Sequence, residues 1–202
     1  MPDAEPTPSL RAEQVAQTRA ALVAAGRLLF GRAGFADTSV EDLAREARVT
    51  TGALYHHFPT KSALFEAVFE ETHLELMLIS AQAAEGAPDE LESLARGFDS
   101  FLGAVLQADM QQIIVIDGPA VLGLARFTEL DERYALGVIV AALEAAVASG
   151  RLVIDDPETV TRLLFGALTR GAMLIANSPT PEATRTAVAQ AMRALLGVFA
   201  AK

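Results

Sequence analysis

Residues 50–61 read TTGALYHHFPTK, a composition that is unusual for a helix whose only task is to bury one face. On a helical wheel, Leu54 and Phe58 fall on one side, while Gly52 and His56 fall on the opposite side. Apolar residues recurring at this spacing mark the buried side of a short helix. We therefore predict a helix that is anchored by Leu54 and Phe58 and offers a polar outer face to an anionic partner.

The residues on either side of this segment predict a second short helix and a tight turn. Thr38 and Glu41 have the spacing of a capping box, in which the Thr hydroxyl caps a helix over residues 39–47. Arg48 then lies in the turn, and Thr50 caps the next helix. With a first helix over residues 13–33, the pattern predicts a three-helix domain whose helix-turn-helix covers about residues 39–58.

The remainder of the chain also has helical periodicity, so the fold class is predicted to be all-α with about nine helices. Helices are expected from Lys61, over residues 89–107, from residue 108 to a break at Gly118-Pro119, over residues 130–148, and from Pro157 and Pro181. The predicted organisation is a disordered arm at residues 1–12, a helix-turn-helix domain at 13–62, and a helical ligand-binding and dimerisation domain at 63–202.

The net charge of −10 is distributed unevenly between these two predicted domains. Residues 1–62 contain seven Lys or Arg and seven Asp or Glu residues, whereas residues 63–202 contain nine basic and nineteen acidic residues. The whole negative excess therefore lies in the C-terminal part. Only the N-terminal part is suited to approach phosphate groups.

Several function classes find no support in the sequence. The chain has no Cys, so disulfides and zinc-thiolate sites are excluded, and no nucleophile motif or Gly-rich phosphate loop indicates an enzyme or a cofactor. No apolar run approaches the length of a membrane span, which favours a cytoplasmic protein. His73 is expected to be an ordinary, partly exposed residue, and Asp131 to lie on a solvated face. No metal site is expected.

The side chains around the third helix are suited to contact duplex DNA. Gly52 and Ala53 allow the helix backbone to approach base edges, and the Thr50 and Thr51 hydroxyls can bind a phosphate group. Donors to phosphate oxygens are expected from three further side chains, Tyr55, His56 and Lys61.

The segments TSVEDLA, residues 38–44, and VTTGALYHHFPTKSAL, residues 49–64, resemble the signature of TetR/AcrR-type transcriptional regulators. This resemblance implies a homodimer that binds a palindromic operator in double-stranded DNA and leaves it when a small-molecule effector binds the C-terminal domain. It also implies that Thr38 touches the DNA backbone. Arg48 departs from the family pattern, which often has glycine there, and adds a cation near the DNA. Half-sites are expected about 34–36 Å apart, or a multiple of this.

Two further sets of residues are predicted in the C-terminal part. An apolar effector cavity is expected to be lined by Phe98, Phe101, Met110, Asp117, Phe127, Tyr134, Arg170 and Met173, with Asp117 and Arg170 either paired or reading a polar group of the ligand. The last two helices carry apolar stripes that are expected to pair in a dimeric four-helix bundle, or to form the monomer core: Leu164, Ala167, Gly171, Leu174, Val188, Ala191, Leu195 and Val198.

Taken together, the sequence predicts a one-component, ligand-responsive transcriptional regulator, most often a repressor in this family, released by a largely apolar effector. The alternative is an all-α ligand-binding or protein-interaction module that has no specific DNA binding.

Overall fold

The structure, a computed structural model, describes residues 10–201, so most of the predicted N-terminal arm lies outside the described residues. The described part folds into nine helical segments and no strand, which confirms the all-α prediction. The helices are α1 (Leu10–Ala33), α2 (Val40–Glu46), α3 (Thr51–His57), α4 (Lys61–Ala84), α5 (Glu90–Ala104), α6 (Ala108–Met110, Gln111–Asp117 and Gly118–Leu122), α7 (Leu124–Ala148), α8 (Pro157–Ala176) and α9 (Pro181–Val198).

The helix starts follow local capping signals, with one correction. Thr50 and Thr60 cap α3 and α4 as expected, each accepting a hydrogen bond from the backbone N–H three residues on. The predicted cap of α2 is wrong by one residue, because Ser39 rather than Thr38 accepts the bond from the N–H of Asp42. Helix α1 begins at Leu10, so the last residues of the predicted arm are helical.

The region around Gly118 differs from the prediction. The chain continues helically through Gly118-Pro119, because the preceding residues Gln111–Asp117 form a π-helix that runs directly into the next α-helical turn. The break falls instead at Gly123, which has a φ of 73°, and α7 therefore begins at Leu124 rather than near residue 130. A π-helical segment of this length is uncommon, and such segments occur frequently at functional sites.

One continuous hydrophobic core connects the helix-turn-helix to the C-terminal helices. Near the helix-turn-helix, Phe30, Phe35 and Phe65 pack with ring centroids 5.4–5.7 Å apart. Full burial of such a side chain stabilises the fold by about 1.5–3 kcal/mol. The long helix α4 packs on α1 at one end and on α5 and α7 at the other, so it belongs to both halves of the molecule.

Within residues 10–201, one helix, α8, is long and apolar enough to cross a membrane by length and composition, which the sequence reading had not expected. Helix α8 packs against α7 and α9, with buried residues along one side. A core helix of a helical domain meets the same criterion, so this feature is weak support for a membrane span.

Candidate nucleic-acid interface and effector cavity

The outer face of α3 is exposed and polar. Leu54 and Phe58 are buried in the core, whereas Thr51, Tyr55 and His56 are exposed, Tyr55 with 52% of its surface. The Thr50 hydroxyl accepts a hydrogen bond from the N–H of Ala53 at 3.1 Å, and a hydroxyl in this position keeps its own proton for another acceptor. The wheel-based division of this helix into a buried and an exposed side therefore agrees with the structure.

Gly52 lies on the exposed side of α3, where the fold itself does not require glycine. A Cβ atom at this position would meet only the Thr50 hydroxyl oxygen, at 3.8 Å, which is an ordinary contact. Glycine in a helix costs about 1 kcal/mol relative to alanine. The position therefore carries a cost in stability that nothing inside the protein explains, as expected if another molecule approaches the helix backbone here.

Arg48 has a φ of 57°, a left-handed backbone conformation that costs a residue with a Cβ atom roughly 1–2 kcal/mol. It is the one non-glycine residue with positive φ among residues 10–201. Its side chain is exposed beside the start of α3. The strained turn between α2 and α3 thus carries an exposed cation.

Two of the residues predicted to contact DNA make hydrogen bonds within the protein. Thr38 is buried, and its hydroxyl donates a hydrogen bond to the backbone carbonyl of Gly34 at 2.7 Å, so its side chain does not face the outer surface. The Lys61 ammonium donates to the carbonyls of Phe35 and Thr38, at 2.7 and 2.9 Å, and lies 4.1 Å from the centroid of the Phe35 ring. Lys61 ties α4 to the α1–α2 loop, which leaves one N–H proton for any phosphate.

The same loop is also held by the π-helical segment of α6. The backbone N–H of Phe35 donates to a carboxylate oxygen of Asp117 at 2.7 Å. Nearby, the Arg27 guanidinium in α1 forms ion pairs with Glu75 of α4, at 3.3 Å, and Asp109 of α6, at 2.9 Å. Hydrogen bonds to charged groups contribute about 1.5–3 kcal/mol each. These contacts mechanically connect the helix-turn-helix to the C-terminal half.

A cavity of about 380 Å³ lies between α4, α5, α7 and α8. Its walls are apolar apart from two serines, and they contain no charged side chain. The lining residues are Met77, Leu78, Ser80, Ala81, Ala84, Ser93, Leu94, Gly97, Phe98, Phe101, Ala135, Val138, Ile139, Ala142, Phe165 and Leu168. A concave, apolar site of this size suits a small organic molecule.

Of the eight residues predicted to line an effector cavity, the structure brings only Phe98 and Phe101 to its wall. Asp117 binds the α1–α2 loop, and Arg170 is exposed, so neither is a charge buried among apolar groups. The other four lie in the core or beside it, away from the cavity wall: Met110, Phe127, Tyr134 and Met173. These six residues do not line this cavity; for Met110, Phe127, Tyr134 and Met173, the helical spacing marks burial but not which neighbouring helix covers them.

Two family profiles match the chain, one over each half. "Bacterial regulatory proteins, tetR family" matches residues 22–68, and "Tetracyclin repressor-like, C-terminal domain" matches residues 91–199. The chain belongs to the TetR family. The C-terminal match covers three of the four helices that enclose the cavity, α5, α7 and α8, so the similarity extends beyond the helix-turn-helix.

Two solved structures agree with this TetR-family chain in fold over nearly its whole length, and a curated relative is similar in sequence over most of it. The crystal structure of a TetR-family transcriptional regulator from Pectobacterium atrosepticum has 30% identity and a TM-score of 0.85, covering 94% of this chain and 97% of that one. The Transposon Tn10 TetC protein of Escherichia coli is 24% identical over 76% of this chain and 78% of its own length. The structure of RolR in complex with its ligand resorcinol shares the fold, with 21% identity, a TM-score of 0.75 and coverage of 95% and 92%.

The predicted dimer-interface residues of this TetR-family chain divide into two groups. Leu164 and Gly171 are buried and Val188 half-buried within the single chain, so these three are corrected to core positions. A Cβ atom at Gly171 would lie 2.5 Å from Val188, which shows that glycine lets α9 of the same chain come close. The remaining predicted residues are half-exposed or exposed: Ala167, Leu174, Ala191, Leu195 and Val198.

A buried polar pair in the TetR-family C-terminal domain was not predicted from the sequence. His73 is fully buried, not partly exposed, and its Nδ1 atom lies 3.6 Å from a carboxylate oxygen of Asp131, which is also buried rather than on a solvated face. Burial lowers the pKa of His73 to about 4 and, despite the Thr169 hydroxyl, raises the pKa of Asp131 to about 7.

The helical spacing of His73 and Asp131 in the sequence could have indicated that both residues are buried. Asp131 lies on the same i, i+4 stripe as Phe127 and Ala135, and His73 lies four residues after Phe69. Within residues 10–201, no cluster of three or more His, Asp or Glu side chains is arranged to hold a metal ion.

Proposed function

We propose that this TetR-family protein is a ligand-responsive transcriptional repressor that binds a palindromic operator as a homodimer and is released by a small, largely apolar effector. The observation that carries the DNA-binding part is the outer face of α3. This face exposes Thr51, Tyr55 and His56 around Gly52, whose Cβ position is open to solvent and not filled by the fold.

The residues that we propose to contact DNA now form a smaller set than the sequence predicted. Thr50, Thr51, Gly52, Ala53, Tyr55 and His56 remain, with Arg48 beside them and Lys61 restricted to its one unused proton. The proposed division at residues 62 and 63 falls in the first turn of α4, which begins at Lys61. A movement of α4 caused by a ligand would therefore act directly on the DNA-binding domain.

The cavity supports the proposed response to a ligand. Met77 and Ala81 of α4 line it, and the same helix begins beside α3 with Lys61 bound to the α1–α2 loop. A molecule that enters between α4 and α7 would push these helices apart, and Lys61 would carry the shift to the α1–α2 loop of the DNA-binding domain. RolR binds resorcinol in the same fold, which is consistent with a small effector here.

Dimerisation is proposed through the exposed faces of α8 and α9. Leu163 is 70% and Val198 75% exposed, and Leu174 and Leu195 are also solvent-accessible. With the small residues Ala167 and Ala191, they form an apolar surface on two adjacent helices. Isologous pairing of such a surface across a two-fold axis buries it in a four-helix bundle.

The experiment that tests DNA binding compares two glycine substitutions. Operators are first selected from a random DNA pool, and affinity is then measured by fluorescence anisotropy for Gly52→Ala and Gly137→Ala. Gly137 is an exposed helical glycine with no atom within 4 Å of its Cβ position, so both changes improve helix propensity without a clash.

We expect Gly52→Ala to weaken binding by roughly tenfold, because a methyl group displaces the backbone from the groove, and Gly137→Ala to leave affinity unchanged. Equal affinity of both variants contradicts the proposed contact surface. A random pool that yields no enriched palindrome favours the alternative, a ligand-binding module without specific DNA recognition.

A further inference from the structure

The imidazole of His73, which faces Asp131, lacks the hydrogen bonds that buried polar groups normally have. Both ring nitrogens of His73 are buried without a hydrogen-bond partner, and the contact to Asp131 is 3.6 Å long. On the other side of Asp131, the Thr169 hydroxyl is 3.5 Å away. Unpaired buried polar atoms are rare in folded proteins and often mark functional groups.

His73 and Asp131 do not line the cavity themselves, but each lies one helical turn from a residue that does. His73 lies one helical turn before Met77 of α4, and Asp131 lies one turn before Ala135 of α7, and both Met77 and Ala135 line the cavity. Residues four apart in a helix share a face about 5–6 Å apart. The unpaired nitrogens and the carboxyl group therefore form the layer directly beyond the cavity wall.

We propose that His73 and Asp131 are the polar end of the effector site and select an apolar molecule that carries a neutral hydroxyl group. This inference rests on the proposed function and specifies the ligand class. A neutral imidazole has one donor and one acceptor, and a hydroxyl group has the same pair, so one hydroxyl satisfies a ring nitrogen and the neighbouring carboxyl group together. A charged group is disfavoured, because the walls contain no charge to pair with it.

The structural surroundings agree with a neutral polar end. Burial lowers the pKa of His73 to about 4 and raises that of Asp131 to about 7, so both side chains are uncharged over much of the range between these values. Tyr134 packs against the His73 ring with centroids 5.5 Å apart, and Phe69 packs at 5.7 Å. These rings hold the imidazole at the end of the cavity.

The test uses three probes of the same shape: para-isopropylphenol, its methyl ether and isopropylbenzene. Calorimetry on the full-length protein gives the three dissociation constants, and release of the selected operator is followed in parallel. We expect the phenol to bind roughly tenfold tighter than both other probes, because only the phenol donates as well as accepts.

Two variants test whether His73 and Asp131 cause the tighter binding of the phenol. His73→Phe keeps a ring of similar shape, and Asp131→Leu serves as a second variant should the first not fold. Both are expected to reduce the preference for the phenol to less than about threefold. Thr161→Val is the matched control, because Thr161 also has a buried hydroxyl without a partner but lies eight residues from Thr169 along α8, about 12 Å. It is expected to keep the full preference.

The outcomes separate this inference from the proposed function. If the three probes bind equally to the wild-type protein and release DNA, His73 and Asp131 do not form a polar end of the site, whereas the cavity is still the effector site. A full preference retained in both His73→Phe and Asp131→Leu also overturns it. No binding of any probe overturns the cavity and its polar end together.

Discussion

Two single variants of the buried pair, Asp131→Leu and His73→Phe, should show opposite pH dependences of the free energy of unfolding relative to wild type. Between about pH 4 and 7, the folded pair holds one proton, whichever side chain carries it. The unfolded chain also holds one proton there, on His73, because the unperturbed values are 6.5 for the histidine and 3.8 for the aspartate. The pair therefore contributes little pH dependence in the wild-type protein.

Removal of one partner exposes the contribution of the other. In Asp131→Leu, burial still keeps the pKa of His73 near 4, so the unfolded state binds more protons than the folded state between pH 4 and 6.5. The free energy of unfolding of this variant relative to wild type is therefore highest above pH 6.5 and decreases as the pH falls. A difference of one in pKa corresponds to about 1.4 kcal/mol, which gives a loss of roughly 3 kcal/mol relative to wild type.

In His73→Phe, the sign is reversed. Burial keeps the pKa of Asp131 near 7, against 3.8 in the unfolded chain, so the folded state binds more protons across this range. Stability relative to wild type is then retained near pH 4 and falls by roughly 4 kcal/mol as the pH rises to 7. The double variant His73→Phe/Asp131→Leu has no titrating group left at this site, and its difference from wild type should not depend on pH.

Urea unfolding followed by far-UV circular dichroism measures these differences at several pH values and one fixed protein concentration, because the stability of a dimer depends on concentration. Subtraction of the wild-type curve removes the contribution of all other titrating groups. Thr161→Val, a buried substitution without a titrating group, controls for a general loss of packing. Parallel curves for His73→Phe and Asp131→Leu, or slopes of the same sign, would refute the reasoning.

Two further predictions concern the connection between the domains and the dimer. Asp117→Ala removes the acceptor for the Phe35 N–H and should destabilise the protein by about 1.5–3 kcal/mol in urea unfolding. It should also reduce the ratio of operator affinities without and with effector by at least about threefold, and an unchanged ratio would exclude this contact from the coupling. Leu195→Arg should convert the dimer to a monomer in sedimentation velocity, whereas Leu124→Arg, at a residue that is 77% exposed on α7, should not. A dimer that persists in Leu195→Arg would contradict the proposed interface.

Much of the fold was predictable because the signals are local. Leu54 and Phe58 share one side of a seven-residue helix, and Thr50 and Thr60 cap helices through hydrogen bonds to backbone groups three residues on. Such patterns depend on helix geometry alone and need no knowledge of the partner helix. The break near Gly118 was not predictable in this way, because the π-helical segment Gln111–Asp117 has no distinct local signature.

The candidate site was predictable only to the same extent as the fold. Periodicity identified Phe98, Phe101, Phe127 and Met110 as buried but not which of them face a common space, since that depends on how α4, α5, α7 and α8 pack. Gly171 belongs to a stripe that was expected to pair across a dimer or to form the monomer core, and the helix that approaches it is α9 of the same chain. Side-chain spacing within one helix carries no information about the identity of its neighbour.

The sequence by itself determined the helix-turn-helix, the exposed polar face of α3 and the restriction of the negative charge to the C-terminal half, because each depends on residues close together in the chain. Only the tertiary structure decided that Thr38 and Lys61 are turned to backbone carbonyls, that Asp117 holds the α1–α2 loop, and that His73 meets Asp131 beside an apolar cavity. Apart from the Thr38 bond to Gly34, which spans four residues, these contacts join residues distant in sequence, and long-range packing brings them together.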